Sequence, residues 1–227
     1  YADTHPRNDL VPRYDPHSNA KGDELTKTLG TILGAAAMQL SEITATSSQA
    51  PIRALSKAVR TPLERAPSED EIRERMPIDH KRLEELKRAG DGNESFWMGI
   101  KLGWYEYLLE LYGKGGSFET HEGLEIQAMR IGDIYLVGLP GEVFSHIGLE
   151  IKRRAREIGL GKVLVIALAN GNPGYVPAEE DYAIAPVGKR GYELEGSYML
   201  YGRPLVGPGT ATLMIGAAVD LLRALSS

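Results

Sequence analysis

The stretch Ile134-Tyr135-Leu136-Val137-Gly138-Leu139-Pro140-Gly141-Glu142 decides the fold class. Ile134 to Leu139 is a nearly unbroken apolar run, which reads as a sheet strand, and Pro140-Gly141 stops it. Upstream, Leu124, Ile126 and Ala128 alternate with polar neighbours, the pattern of a half-buried strand. Ile131-Gly132-Asp133 between them is a turn, so the two strands form a β-hairpin. Downstream, Glu142 is expected to begin a helix reaching about Glu157. Lys162 to Ala169 follows, and the continuous run from Val163 to Leu168 predicts a strand buried within a sheet. Hairpin, helix and strand in this order predict a layered α/β architecture of sheet and helices, with α+β as the neighbouring class.

Further out, Leu25, Leu29, Ile32, Leu33, Ala36, Leu40 and Ile43 recur at helical spacing and line one face. Gly30 and Gly34 within it cost about 1 kcal/mol each. They mark either a close approach by another element or a weak helix. Apolar and β-branched positions scattered over 52–64 predict a short strand. Ser68 with Glu71 is a capping box just after Pro67. It opens a charged helix over 68–89 that is expected to break near Pro77. Residues 94–112 form a second, strongly apolar helix, whose Trp97 and Trp104 are expected in the core. A closing helix runs from about Thr210 to Leu222, after Gly207-Pro208-Gly209. Residues 1–22, rich in Asp, Asn, Pro and His, read as an irregular segment, leaving 23–227 as one α/β body.

A chain of 227 residues with 42% hydrophobic residues can bury a substantial core. Its 26 Lys and Arg against 31 Asp and Glu give a net charge of -5, with the signs mixed along the chain. That balance argues against a nucleic-acid partner, which calls for a basic face. The absence of cysteine excludes disulfides and thiolate metal sites. No apolar run reaches the roughly 18 residues of a membrane span. The compartment is not fixed by these features; a soluble chain of this kind is compatible with the cytoplasm or with export.

Chemistry is expected where loops leave the carboxyl ends of the buried strands. The first such loop carries Glu142; the second, dense in Asn, Gly, Pro and acidic residues, carries Asn170, Asn172, Tyr175 and Tyr182. In the first turn of a helix, Glu142 suits either a metal ligand or a plain helix-start acid. Glu142 and His146, four apart, would share one helix face and could touch one ion, while a packed or surface His146 is the simpler account. His121, next to Glu122, reads as a surface or turn residue before a strand, and His5, His17 and His80 have no ligand spacing. The chain contains no Gly-x-Ser-x-Gly elbow, no phosphate-binding glycine loop with Lys and no dinucleotide fingerprint.

Gly132 to Glu142, joined by Ala169-Asn170-Gly171-Asn172-Pro173-Gly174-Tyr175-Val176-Pro177 and Glu179 to Tyr182, resembles the neutral/alkaline ceramidase family. Tyr192-Glu193-Leu194-Glu195-Gly196 and Gly207-Pro208-Gly209-Thr210 fit the same pattern, which is good from about 124 to 222 and looser from 14 to 112. The family comprises zinc-dependent amidases that release a fatty acid from an N-acylated sphingoid base. The resemblance implies that this chain is the C-terminal half of such a catalytic domain. It implies that Glu142 and Tyr175 are zinc ligands and that Tyr192 helps hold the scissile amide and its oxyanion. The segment Ala183 to Gly191 departs from the family pattern. One zinc ion is implied, its remaining ligands coming from outside this chain, in an N-terminal half of the same precursor or a second subunit. The implied substrate is an N-acyl amide, a ceramide-like lipid or a smaller amide. Two other readings stand beside it. One is a ceramidase-like relative without catalysis, serving as a binding or structural subunit. The other is a different metal hydrolase, with Glu142 and His146 on one ion and Tyr175 away from it.

Overall fold

The computed structural model describes residues 19–46, 48–183 and 191–227. Of the segment expected to be irregular, residues 1–18 lie outside the described residues. The described chain falls into two compact units, one ending at Pro51 and the other running from Ile52 to Ser227. The first contains helix α1 (Asn19–Ile43). Its Ile32, Leu33, Met38 and Ile43 are exposed.

The second unit opens with strand β1 (Ile52–Pro62), helix α2 (Glu69–Ala89) and helix α3 (Gly92–Gly113). Strands β2 (His121–Ile131), β3 (Ile134–Gly138) and β4 (Glu142–Val143) follow, then helix α4 (Ser145–Glu157). Strands β5 (Val163–Ile166) and β6 (Tyr175–Val176) come next, followed by short helices α5 (Glu179–Ala183), α6 (Tyr192–Glu195) and α7 (Ser197–Leu200), and by α8 (Thr210–Ser226). The mixed sheet and helices are the α/β architecture expected from the order of elements. One sheet has the order β1-β2-β3-β5, and β4 and β6 form a separate two-stranded ladder.

The expected hairpin is present: β2 and β3 pair antiparallel, Ile131 facing Ile134. Gly132 supplies the positive φ of 62° that a two-residue hairpin turn needs. The strand expected to be short is a long one, because β1 pairs with β2 over its full length, from Ile52↔Ile131 to Pro62↔His121. The parallel pair β3–β5 aligns Tyr135 with Val163 and Gly138 with Ile166, with α4 as the crossover.

The main core lies on one face of this sheet. Ile126 and Val137 from the strands and Leu139 just after β3 meet Ile147 and Ile151 of α4 and Met214, Leu222 and Leu225 of α8, all essentially inaccessible to solvent. Each such side chain contributes about 1.5–3 kcal/mol by leaving water. On the opposite face, apolar side chains of the described residues are exposed. Leu164 and Ile166 of β5 are exposed, as is Ile134 of β3. The expectation of a strand buried on both faces therefore fails for β5, which is an edge strand with only Val163 buried and Val165 partly so.

A smaller core joins α2 to α3 through Ile72, Leu102, Trp104, Tyr105 and Leu108. The capping box is formed: Ser68 Oγ accepts from Glu71 N–H at 3.3 Å, and Glu71 Oε2 accepts from Ser68 N–H at 2.7 Å. Pro77 does not break the helix, which continues to Ala89. Its ring is exposed, and packing on both sides of it, from Ile72 to Leu86, holds the axis. Trp104 is buried as expected, whereas Trp97 is only half-buried.

Asp79, 1% exposed, fastens the two helices. Its Oδ1 accepts from Arg75 Nε at 3.2 Å, and Lys101 Nζ of α3 lies 2.8 Å from Oδ2. Asp79→Ala strands the Lys101 amine beside an apolar seam. Because both cations keep some solvent, the expected loss is about 2–3 kcal/mol, below the full cost of a wholly buried pair. Urea denaturation checks it; an unchanged midpoint would show that the carboxylate adds nothing.

Candidate functional site

The site is built by backbone pairing between two segments that leave the sheet. In the β4–β6 ladder Glu142 is in parallel register with Tyr175, and Val143 with Val176. Glu142 N–H donates to Gly174 O at 2.8 Å, and Phe144 N–H to Val176 O at 3.2 Å. Gly141 N–H donates to Gly171 O at 3.0 Å, while Leu168 and Ala169 N–H donate back to Gly141 O and Leu139 O. Gly141 has φ 80°, and a Cβ there would sit 2.6 Å from Gly174 O, so only glycine allows the two segments to meet. Gly174 has φ 87° and lets the Tyr201 ring lie against the backbone. Leu168 and Asn170 adopt left-handed φ values of 55° and 64°, a strain of the kind that clusters at functional sites.

This pairing overturns the expectation that Glu142 starts a helix. Glu142 is a strand residue, and α4 begins only at Ser145 after Phe144 as N-cap. The helix-face argument for a Glu142–His146 ion fails with it. His146 Nε2 instead lies 3.0 Å from Asp181 Oδ2, whose same oxygen accepts from Ala178 N–H at 2.8 Å. His146 thereby ties α4 to the segment after β6. Tyr182 is also removed from the chemistry: it is buried, and its hydroxyl donates to Val206 O.

Glu142 and Tyr175 do come together, and Tyr192 joins them. The Tyr175 and Tyr192 rings meet edge to face at 5.7 Å. Tyr201, which no sequence pattern singled out, donates its hydroxyl to Glu142 Oε1 at 2.6 Å. Asn172 accepts from Gly174 N–H at 3.0 Å and also bonds Tyr201. Glu142 is thus a half-buried carboxylate surrounded by phenols. Each phenol is pushed above its ordinary pKa. For Tyr175 the main cause is burial, followed by the charge of Glu142 and the hydrogen bond to it. For Tyr192 it is burial and then the Glu142 charge. For Tyr201 the hydrogen bond to Glu142 comes first. All three therefore remain protonated donors at neutral pH.

This donor set fits part of a zinc site. The β4–β6 register sets a carboxylate and a phenol side by side, oxygen donors of a kind that a small cation accepts. A cation there would reverse the present electrostatics, neutralising Glu142 and favouring phenolate at Tyr175. Among the described residues no group of three or more His, Cys, Asp or Glu is assembled to hold a metal.

No family profile matches this chain, and no curated protein matches it. Among solved structures it is similar to a ceramidase complexed with C2, at 29% identity over 46% of this chain and 15% of that one, with a TM-score of 0.35. It is also similar to the neutral ceramidase from Pseudomonas aeruginosa, at 25% identity over 45% of this chain and 16% of that one, with a TM-score of 0.31. The chain thus spans about one sixth of the length of these structures.

Two outcomes follow from the geometry. Gly141→Ala forces apart the segments bearing Glu142 and Tyr175, at an expected cost of more than about 1 kcal/mol. A thermal melt equal to that of the parent chain would refute the close approach. Glu142→Gln removes the negative charge that the phenols share, so their ionisation, followed by near-ultraviolet phenolate absorbance, moves down towards about 10. The raised phenol pKa values contribute stability that is complete below about pH 10 and lost as pH rises through the folded values, and Glu142→Gln reduces that alkaline loss.

Proposed function

We propose that this chain supplies part of the active site of a zinc-dependent amidase that hydrolyses an N-acyl amide, a ceramide-like lipid or a smaller amide. The observation that carries this reading is the convergence of three residues from separate parts of the chain: the β4–β6 ladder sets Glu142 beside Tyr175, and the Tyr192 ring packs on Tyr175. These are the positions at which the sequence resembles the neutral/alkaline ceramidases. Glu142 and Tyr175 would hold the ion, which when bound polarises the amide carbonyl and activates water. Tyr201 orients the Glu142 carboxylate through its hydroxyl. Tyr192, a phenol and so protonated at neutral pH, donates a hydrogen bond to the oxygen that becomes negative as the amide is attacked. The other ligands come from outside this chain, from an N-terminal half of the same precursor or a second subunit. The exposed Ile134, Leu164 and Ile166 on one sheet face suit cover by such a partner.

The deciding experiment is intact mass together with metal content of the natively assembled protein. A second polypeptide and about one zinc per pair is the expected result, with zinc lost in Glu142→Ala. Tyr192→Phe is expected to lower kcat about 10²–10³-fold with little change in KM. A metal-free assembly, or full zinc content in Glu142→Ala, overturns the reading in favour of a ceramidase-like binding or structural subunit.

A further inference from the structure

The ladder that sets Glu142 beside Tyr175 has two residues on each side. So short a pair of strands does not hold itself together. At its upstream end it is closed by Gly141 N–H on Gly171 O. We propose that His146 and Asp181 close the downstream end and act as a positioning pair for the candidate site, keeping the Tyr175 strand against the Glu142 strand. The assignment rests on the reading of Glu142 and Tyr175 as ligands of one ion.

The two tied points flank the site closely. His146 stands near the start of α4, which follows β4 directly, and Ala178 stands just beyond β6. The Ala178 N–H donates to Asp181 Oδ2 at 2.8 Å, and the same oxygen lies 3.0 Å from His146 Nε2. An oxygen that takes both donors assigns the imidazole proton to Nε2. One carboxylate oxygen therefore joins the backbone leaving β6 to the helix leaving β4.

A second contact carries the tie towards the chemistry. Phe144, between Glu142 and His146, donates its N–H to Val176 O at 3.2 Å as the last bond of the ladder. Its ring meets His146 edge to face at 5.9 Å on one side and Tyr175 at 6.4 Å on the other. The imidazole is thus a wall for the buried Phe144 ring, and that ring is a wall for the Tyr175 phenol.

Two simpler accounts explain less. The Asp181 bond to Ala178 is the return half of a capping box and serves α5. That bond does not call for a histidine on α4, and the five residues of α5 have too few internal bonds to fix their own position. The other account is an ordinary surface ion pair. Glu180 fits that description: its Oε1 is 3.8 Å from His146 Nε2, but its side chain is 68% exposed, where a pair adds little. Asp181 does not fit it, since its side chain is 9% exposed and loss of His146 leaves Oδ2 short of a donor in a buried place. The pair touches neither ion nor substrate. It acts through the backbone and through Phe144, and it governs how closely two oxygen ligands approach.

Amide hydrogen exchange of the chain reads the ladder with neither metal nor turnover. In His146→Leu the N–H groups of Glu142 and Phe144, which bond Gly174 O and Val176 O, are expected to exchange at least about tenfold faster. The amides of α3 keep their parent rates. His146→Gln, whose side-chain amide brings an N–H donor close to the place of Nε2, restores the protection. If His146→Leu does not fold, His146→Phe carries the comparison, because it keeps a ring beside Phe144 and lacks the donor. In the natively assembled protein His146→Leu is expected to weaken zinc binding about 10–100-fold, with most of it recovered in His146→Gln. The proposal is overturned if the two ladder amides keep their parent rates, if the α3 amides accelerate by the same factor, or if zinc affinity does not change. A parent assembly that binds no zinc defeats the amidase reading alone. Faster exchange confined to the ladder then still assigns His146 and Asp181 to holding Glu142 beside Tyr175.

Discussion

The parallel pairing of Glu142 with Tyr175 is the constraint on which the candidate site depends. Two residues of each strand suffice, because the flanking segments are locked by further bonds from Gly141, Leu168 and Ala169. The sheet supports this arrangement from below: β3 and β5 run side by side and deliver both segments to the same end. Glycine at 141 is demanded by sterics, since the carbonyl of Gly174 occupies the space of any side chain. Backbone geometry, more than any side-chain attraction, therefore places the carboxylate beside the phenols.

Once placed, the groups influence one another. A half-buried carboxylate draws hydroxyl donors and raises the cost of removing their protons. Tyr201 donates to Glu142 and Tyr175 lies beside it in the ladder, so phenols supply part of the anion's surroundings. The Tyr201 hydroxyl holds the Glu142 carboxylate in one orientation. The buried Asp181 has a different duty, anchoring His146 and the backbone at Ala178.

The smaller core gives α3 its role near the site. Ile72 and Leu108 are sealed between α2 and α3, with Asp79 bridging them electrostatically. This fixes α3 so that Trp97, near its start, reaches Tyr192. Tyr198 of α7 contacts Trp104 at 6.2 Å, so the segment bearing Tyr192 is clamped by the second core as well as the first. A cleft of about 630 Å³ along α3 is the space left between these two packed bodies.

The sequence by itself determined the hairpin at Gly132-Asp133, the Ser68–Glu71 capping box, the long helices and the α/β class, because each depends on residues a few positions apart. Its motif blocks also marked Glu142, Tyr175 and Tyr192. Tertiary structure alone decided that Glu142 is a strand residue, since its N–H is satisfied by Gly174, far along the chain. It decided that Pro77 is tolerated, because packing on either side outweighs one missing amide bond. It also decided that β5 lies at an edge, as an apolar run records hydrophobicity but not how many neighbours cover it. Tyr201, 59 residues from Glu142, had no local signal at all. Periodicity reports contacts within a turn or a strand; the partner of a side chain across the fold is set by long-range backbone pairing and by the space that packing leaves.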